Sequence, residues 1–400
     1  KSSTIMERAP KTQSKSKLTD SYYNISRSFI QSLQRDLRKK EVSTRMKLTK
    51  TIGKEILLGS WFLGGGGGGL PEGGEAVLEQ VLQTGEVVFR DVAELADDEV
   101  IVTASLVGSP ASTTSCIKDV HYRQVYDWFC LNNQKPLSAV VTNEPGGHSV
   151  TNGWMLSAIT GLPMLDAACN GRAHPTGVMG AMGLNAIPDY RSLQTAAGGD
   201  GPREIGITAT GTVDGTSQMV RMAAVQAGGY VTVLRNPVTA AYFRENASVG
   251  VVSQARMIGQ HWQQSMGDLP TLLQTLKALL NCTLLGEGRI RAIDLQMSGG
   301  FDVGTFTLET AGAPLEVTVM NEYMTAQREG ARLATFPDLI AVIDTQKRLP
   351  VCSAQLKPGM DVAVVCVPRE KLILGRGMKL PELFVPCENA IGKPMRQYIF

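Results

Sequence analysis

Short apolar segments alternate with helical patterns from Val87 to Leu165, and no other feature constrains the fold of this chain as strongly. The apolar segments are VVF at 87–89, VIVTASLV at 100–107, LSAVV at 137–141 and LPML at 162–165, with helical patterns at 120–131 and 152–160. Such alternation is typical of an α/β layer built on a parallel or mixed sheet. We therefore predict an α/β domain over residues 46–200, which continues with further strands and helices over residues 201–281.

After Cys282 the sequence consists mainly of short strand-like runs. Six β-type runs follow, separated by Gly, Pro and Asp: RIRAIDLQM, GTFTLET, LEVTVM, DLIAVID, MDVAVVCV and KLILG. Closely spaced runs of this kind predict a sheet or a barrel. Residues 282–400 are therefore predicted to form a β-rich C-terminal domain.

Six consecutive glycines occupy positions 64–69, between predicted helices at 46–63 and 71–84. A flexible turn before a helix can present backbone N–H groups to an anion or a substrate oxygen. The run is not a Walker loop, because no Gly-Lys-Ser/Thr follows, and not a Rossmann fingerprint, because no strand precedes it. We predict that Gly66, Gly67 and Gly68 contact a substrate and that the protein binds no nucleotide.

Two polar clusters follow predicted strands, NEPGGHS at 143–149 and DAACNGRAHPTGVMGAMGL at 166–184. Ligands bind at the ends of strands in open α/β sheets. We expect one crevice to collect the reactive side chains of both clusters: Glu144, His148, Asp166, Cys169, Arg172 and His174. A further turn, Gly108-Ser109-Pro110, ends another strand. Ser109, Gly147 and Asn170 are predicted to bind the substrate.

These residue types leave several roles open. A single histidine is more often structural than catalytic, but two of the four histidines fall in these glycine-rich turns beside carboxylates. Glu144, Asp166, His148 and His174 can serve as bases or metal ligands, and Cys169 can serve as a covalent nucleophile. Arg172 and the glycine backbone can stabilise developing charge.

A metal site is one of these alternatives. His148, His174 and Asp166 would suit zinc or a similar divalent ion, which lowers the pKa of bound water. No local signature such as HExxH is present, so a metal site would have to be assembled from distant turns.

Charge and cysteine content exclude several classes of function. Residues 51–400 carry 26 Lys and Arg against 33 Asp and Glu, so the body lacks the basic surface of a nucleic-acid-binding protein. Seven scattered cysteines without a CxxC pair argue against a disulfide framework and a structural zinc knuckle.

No apolar run approaches the ~18 residues of a membrane span, and no signal-peptide core is present. We expect a cytoplasmic homo-oligomer without membrane or nucleic-acid partners.

Residues 1–45 differ from the body. The first 50 residues carry 13 Lys and Arg against 4 Asp and Glu. Residues 1–20 are polar enough for disorder, whereas residues 25–37 place apolar side chains on one helical face. We predict a basic extension, partly disordered or an amphipathic helix, that packs on the body, a partner or an anionic surface and is dispensable for chemistry.

Six motifs, taken in order, resemble the S-methyl thiohydantoin desulfurase family, formerly domain of unknown function 917. The motifs are LGSWFLGGGGGGLPEGG (58–74), VGSP (107–110), NEPGG (143–147), GLPMLDAACNGRAHPTGVMGAMGL (161–184), FPDLIAVID (336–344) and ELFVPCE (382–388). The resemblance covers residues 46–400. It departs at His174-Pro175-Thr176, where many members have an aromatic residue and Pro-Glu, which indicates a subfamily whose substrate differs.

The resemblance implies an enzyme that acts on a 2-thiohydantoin ring, a small cyclic amide, releases sulfide or a thiol, and leaves a hydantoin. Hydrolysis at C2 requires an activated water or nucleophile, stabilisation of the tetrahedral centre, and a proton for the departing sulfur. An alternative is a non-catalytic or regulatory subunit of a hydantoinase-type complex.

Overall fold

A computed structural model describes residues 45–108, 116–298 and 301–400. The predicted basic extension lies outside these residues except for Arg45, and Ser109 also lies outside them. The helices of the described part are α1 (Lys50–Gly64), α2 (Pro71–Thr84), α3 (Asp119–Asn132), α4 (Trp154–Thr160), α5 (Val213–Gln226), α6 (Ala240–Asn246), α7 (Val251–Ser265), α8 (Leu269–Leu280) and α9 (Val385–Ile391). None of these helices is long and apolar enough to cross a lipid bilayer.

The first sheet confirms the predicted α/β architecture. Its strands are β1 (Met46–Lys47), β2 (Val88–Arg90), β3 (Val100–Gly108), β4 (Leu137–Thr142), β5 (Met164–Ala168), β6 (Ser192–Gly198), β7 (Ile205–Gly211), β8 (Tyr230–Thr239) and β9 (Ser248–Val249). They are ordered β1-β2-β5-β4-β3-β8-β6-β7, and β9 pairs with β5. The sheet is mixed, because β2, β5, β4 and β3 run parallel while the other pairings are antiparallel.

The second sheet confirms the predicted β-rich C-terminal part. Its strands are β10 (Thr283–Ser298), β11 (Phe301–Thr310), β12 (Leu315–Met320), β13 (Glu322–Arg328), β14 (Ala331–Thr335), β15 (Leu339–Asp344), β16 (Pro350–Val351) and β17 (Asp361–Val367). They are ordered β14-β13-β12-β11-β10-β17-β15-β16. All pairings within the described residues of this sheet are antiparallel.

The structure differs from the sequence prediction at several places. Met46–Lys47 pair with β2 and do not begin the first helix. The run KLILG is not a strand: a short 3₁₀ turn covers Arg369–Lys371, and Arg369 is tied by its backbone N–H and its guanidinium to Asp338. The hairpin of β13 and β14 was not predicted, because its strands are rich in polar residues. Its two-residue turn has positive φ at Glu329 (50°) and Gly330 (81°), as a type I′ turn requires. Strand β6 was also missed.

Helices α1 and α7 cross in close contact and connect the two halves of the core. A Cβ atom on Gly59 would lie 1.8 Å from the carbonyl oxygen of Ala255, and one on Gly259 would lie 1.9 Å from that of Glu55. Only glycine fits at both points. Buried apolar side chains of α1, α7 and β15, among them Phe62, Trp262 and Leu339, belong to one continuous core. The end of α1 is therefore held in a fixed position between the two sheets.

Parallel strands β3, β4 and β5 end at the same edge of the first sheet, at Gly108, Thr142 and Ala168. Backbone N–H groups of Cys169 and Asn170 donate to the carbonyls of Thr142 and Asn143, at 3.2 and 3.1 Å. The two polar clusters of the sequence therefore leave the sheet side by side.

Candidate active site

A cavity of about 180 Å³ lies at this edge, between the two sheets. It is lined by Gly66–Gly69 of the glycine run, by strand-end residues that include Gly108, Asn143, Glu144, His148 and His174, and by residues of the C-terminal part that include Asn321, Glu322, Cys352 and Ser353. Its volume is below the ~300–1,000 Å³ of sites for drug-sized ligands. It suits a ligand smaller than these.

The glycine run forms a tight loop against the first polar cluster. Gly68 has a φ of 73°, and a Cβ atom there would lie 2.6 Å from the Cα atom of Gly146. The N–H groups of His148 and Ser149 both donate to the carbonyl of Gly68 at 2.9 Å. The expected meeting of the glycine run with residues 143–149 is thus confirmed.

The same loop also contacts the second sheet. Tyr323 donates its N–H to the carbonyl of Gly65 at 2.8 Å, and Ser353 donates its N–H to that of Gly66 at 2.9 Å. The N–H groups of Gly66, Gly68 and Gly69 donate to no other described residue. These three glycines line the cavity.

Glu144 and His174 form a close, buried pair beside the cavity. Each residue is 8% exposed. The backbone N–H of His174 donates to Oε2 of Glu144 at 3.1 Å, and Nε2 of the His174 ring lies 3.0 Å from the same oxygen. Nδ1 of His174 lies 2.9 Å from the carbonyl of Thr176. Since a carbonyl can only accept, Nδ1 carries the hydrogen and Nε2 of the neutral ring offers a lone pair.

The protonation of this pair follows from its burial. Burial of the Glu144 side chain raises its pKa to about 8. The hydrogen bond from the His174 N–H and the positive charges of Arg235 and Arg172 oppose this rise. Burial lowers the pKa of His174 to about 3, and Arg235 contributes to the same effect. At neutral pH the carboxyl holds a proton and the imidazole is neutral. Nε2 of His174 has no hydrogen-bond partner in the described part of the chain although Oε2 of Glu144 lies 3.0 Å away, so the hydrogen bond between the two residues is the one from the backbone N–H of His174.

His148 lines the cavity next to the glycine loop. A Cβ atom on Gly73 would lie 2.8 Å from its Nδ1 atom, so the imidazole packs directly on the first turn of α2. Burial lowers the pKa of His148, which leaves the ring neutral at pH 7. A neutral imidazole beside a cavity can accept a proton.

Arg172 lies fully buried beneath the cavity and does not line it. Its Nη1 atom donates to the carbonyl of Asp338 at 2.6 Å, and its guanidinium stacks 4.4 Å from the ring centroid of Phe336. Nη2 has no hydrogen-bond partner among the described residues. The positive charge of Arg172 partly offsets the rise that burial causes in the pKa of Glu144 and of Glu322. Arg172 therefore influences these two carboxyl groups without lining the cavity.

The structure places Asp166 away from the cavity. Its carboxylate accepts hydrogen bonds from the N–H of Ser253 at 2.8 Å and from the hydroxyl of Ser253 at 2.6 Å. Ser253 is in the first turn of α7, where backbone N–H groups have no partners within the helix. The position of Asp166 therefore supports a capping role and not the predicted catalytic or metal-binding role.

Cys169 is also outside the cavity. It is 1% exposed, and its Sγ atom lies 3.1 Å from the hydroxyl of Thr103. Burial raises the pKa of Cys169 to about 11, so the thiolate that a nucleophile needs is not formed at neutral pH. This environment does not support the predicted covalent role.

Two of the predicted substrate-binding residues have structural contacts instead. Asn170 is buried, donates to the carbonyl of Arg172 at 2.8 Å and accepts from the N–H of Gly375 at 3.1 Å. Gly147 packs on Gly69 and Pro71 and does not line the cavity.

Sequence reasoning missed the contributions of Glu322 and Arg235. Glu322 begins β13, lines the cavity and is 3% exposed, and its Oε2 atom has no partner among the described residues. Burial raises its pKa well above the usual range. Arg235 lies in β8, beside Glu144. One sequence feature could have pointed to Glu322. It is an acidic residue that follows Asn321 directly after the predicted strand LEVTVM, in a segment where no further strand was predicted.

A metal site would need several ligands close together. Among residues 45–108, 116–298 and 301–400, no three His, Cys, Asp or Glu side chains are grouped so that they could hold a metal ion. Of the three predicted ligands, His148 and His174 line the cavity and Asp166 does not. A metal at this site stays a prediction.

Two family models match the chain. "S-Me-THD-like, N-terminal domain" matches residues 53–202, and "S-Me-THD-like, C-terminal domain" matches residues 212–380. A crystal structure of a protein from Chromobacterium violaceum has a similar fold, with a TM-score of 0.64 and 21% identity over 81% of this chain and 92% of that chain. No curated protein gave a match.

Proposed function

Because this chain belongs to the S-methyl thiohydantoin desulfurase family, we propose that it is an enzyme that removes sulfur from a 2-thiohydantoin-type ring by hydrolysis. Water adds to C2, the bond from C2 to sulfur breaks, and a C2 carbonyl remains. An S-methyl substrate would release methanethiol, and a 2-thioxo substrate would release hydrogen sulfide. Both reactions yield a hydantoin.

The observation that carries this proposal is the Glu144–His174 pair beside a small cavity. A sulfur leaving group departs more easily as a neutral thiol than as an anion, so the reaction needs a proton donor at the sulfur. Glu144 holds a proton at neutral pH because burial raises its pKa to about 8. We assign it as that donor, with His174 as the residue that positions its carboxyl group.

His148 is proposed to take the proton from the attacking water. It lines the same cavity as Glu144, and burial keeps its ring neutral. The unpaired N–H groups of Gly66, Gly68 and Gly69 would stabilise negative charge as C2 becomes tetrahedral.

The test is to incubate the purified protein with 2-thiohydantoin and its S-methyl derivative in water enriched in ¹⁸O. We expect release of sulfide or methanethiol, and one ¹⁸O atom in the C2 carbonyl of the hydantoin. Binding of the ring compounds without any product would instead support the non-catalytic subunit. Neither binding nor turnover would reject this substrate class.

A further inference from the structure

Strand β7 (Ile205–Gly211) forms one edge of the first sheet. It pairs with β6 along its whole length without a register shift, and among residues 45–108, 116–298 and 301–400 no strand pairs with its other side. An edge of this kind presents a row of backbone N–H and C=O groups that a further strand can pair with. Within the described part of the chain, β7 is therefore open to a strand from another molecule.

The other edges at the ends of the two sheets carry features that hinder pairing. Strands β1 and β16 have two residues each, and they contain Lys47 and Pro350. Strand β14 contains Arg332, and the part of β10 that extends past β17 contains Arg291 and Asp294. Short length, charge and proline are the usual protections of an edge strand. Strand β7 has none of them, because it is seven residues long and reads IGITATG.

The side chains of β7 are complementary in size to those of a second, antiparallel copy of the same strand. A pair centred on Thr208 places these residues opposite each other: Ile205 and Gly211, Ile207 and Ala209, Gly206 and Thr210, and the two copies of Thr208. Large side chains thus meet small ones on both faces of the joined sheet. Threonine pairs are favourable across strands, and no like charges meet.

Helix α5 (Val213–Gln226) extends this surface. It packs on one face of β6, β7 and β8, where Ile205 and Ile207 of β7 contact its buried side. Its outer side carries Met219, Met222 and Val225, which are 52%, 67% and 80% exposed. Residues three apart on a helix are neighbours, so the three side chains form one apolar patch. Contiguous apolar patches mark interaction sites more often than single exposed residues do.

We propose that β7 and the outer side of α5 form the interface of a twofold homodimer, in which the first sheets of two copies join edge to edge. A twofold axis through the paired Thr208 residues, perpendicular to the sheet, keeps both α5 helices on the same face, beside the joined edges. The partner is a second copy of this chain, because the strand is complementary in size to itself and lacks charge. An interface that uses the same patch on both copies closes at two subunits.

Sedimentation equilibrium of the full chain tests the interface. We expect a mass of twice one chain, which dissociates on dilution over roughly a hundredfold range of concentration. Thr208→Lys should weaken the dimer at least about tenfold, because two ammonium groups would face each other at its centre. Met222→Lys should weaken it as well, because it places a charge in the apolar patch. Circular dichroism should show that both variants remain folded, since both side chains are exposed.

The matched controls add the same charge elsewhere. Thr283→Lys changes an exposed threonine of the second sheet, and Leu82→Lys changes an exposed leucine of α2. Both should sediment as the wild type does. A wild-type chain that is monomeric at every concentration would overturn the proposal, as would a dimer that Thr208→Lys leaves unchanged or a mass that grows beyond two chains.

A disulfide test checks the register without disturbing the edge. Directly opposite residues of an antiparallel pair have Cα atoms about 4.5–5.5 Å apart, within the ~4.4–6.8 Å that a disulfide spans. Thr208→Cys should therefore link two copies on mild oxidation. Thr210→Cys is the control, because its copy would lie four positions away, at roughly 13 Å or more.

Both cysteine variants are made together with Cys130→Ser, because Cys130 is exposed. Peptide mapping by mass spectrometry identifies the linked residues. Covalent dimers through position 208 alone would support the centred pairing. Equal linkage through positions 208 and 210, or none through 208, would overturn it.

Discussion

The Nε2 atom of His174 lies 3.0 Å from Oε2 of Glu144, in a position that solvent barely reaches. The other ring nitrogen of His174 donates to Thr176, so the histidine faces Glu144 with a lone pair. The backbone N–H of His174 holds the carboxyl group of Glu144 in place. It also makes the chemistry of the site testable by single substitutions.

The first test replaces the proposed proton donor. Glu144→Gln keeps the shape of the side chain and removes the acid, so turnover should fall by at least ~10²-fold. The melting temperature should change little, because the amide can still accept from the N–H of His174. Steady-state kinetics of product release is the measurement, and Glu204→Gln, on an exposed glutamate outside the cavity, is the matched control. A Glu144→Gln variant with wild-type turnover would remove Glu144 from the mechanism.

The second test uses pH. Glu144 donates only while protonated, and burial keeps its pKa at about 8, so kcat/KM should be level through neutral pH and fall above about 8. The folded carboxyl binds its proton more tightly than an unfolded one, so its stabilising effect is complete below the usual pKa and is lost as pH rises through about 8. The melting temperature should therefore fall between about pH 5 and 8 more in the wild type than in Glu144→Gln. A kcat/KM that rises with pH in this range would instead make Glu144 a base.

Asp166→Asn should affect stability and not catalysis. The asparagine keeps the contact with Ser253 but loses the charge at the start of α7, so we expect a loss of about 1 kcal/mol, typical of a helix cap. Turnover of the folded variant should stay within a few-fold of wild type. Urea unfolding and product release measure the two effects. A drop of ~10²-fold in turnover without unfolding would restore the catalytic role predicted from the sequence.

Cys169→Ser distinguishes a covalent mechanism from hydrolysis by water. The thiol is buried against Thr103 and is protonated at neutral pH, so the serine variant should keep most of its activity. Iodoacetamide labelling followed by mass spectrometry should find Cys169 unmodified in the native protein. Loss of nearly all activity in a folded Cys169→Ser variant, or a substrate adduct on this residue, would establish the covalent route.

Gly68→Ala tests the shape of the glycine loop. The alanine would combine a φ of 73° with a Cβ atom 2.6 Å from Gly146, so we expect a loss of at least about 1–3 kcal/mol and lower activity. Gly161→Ala is the control, because Gly161 has a φ of 74° but no atom within 4 Å of a Cβ position. The difference between the two variants in urea unfolding gives the cost of the contact. Equal losses would mean that backbone strain alone matters at Gly68.

The sequence predicted the parts of the fold that depend on local patterns. Helix α2 begins at Pro71 and ends at Thr84 as expected, because proline fits the first turn and Gly85 follows. The hairpin of β13 and β14 was missed because it is stabilised by pairing with β12 and by a tight turn, and its own sequence is too polar to indicate a strand. Strand pairing between segments that are distant in the chain leaves no periodic pattern of apolar residues in the sequence.

The site was predictable to a similar extent. Glu144, His148 and His174 were predicted because they follow strands that end at one edge, and all three line the cavity. Asp166 and Cys169 belong to the same cluster in sequence, but their side chains point to α7 and to β3. Glu322 is brought in from the second sheet, over a sequence distance that no local motif spans.

The glycine loop is held by hydrogen bonds from Tyr323 and Ser353, residues made long after the glycines themselves. During synthesis on the ribosome, the first sheet and its polar turns can be complete while one wall of the cavity does not yet exist. A nascent chain must expose residue 353 before the loop can adopt its final shape. The complete cavity would therefore form late in translation, and a prematurely terminated product would carry Glu144 and His174 without the wall that the second sheet supplies.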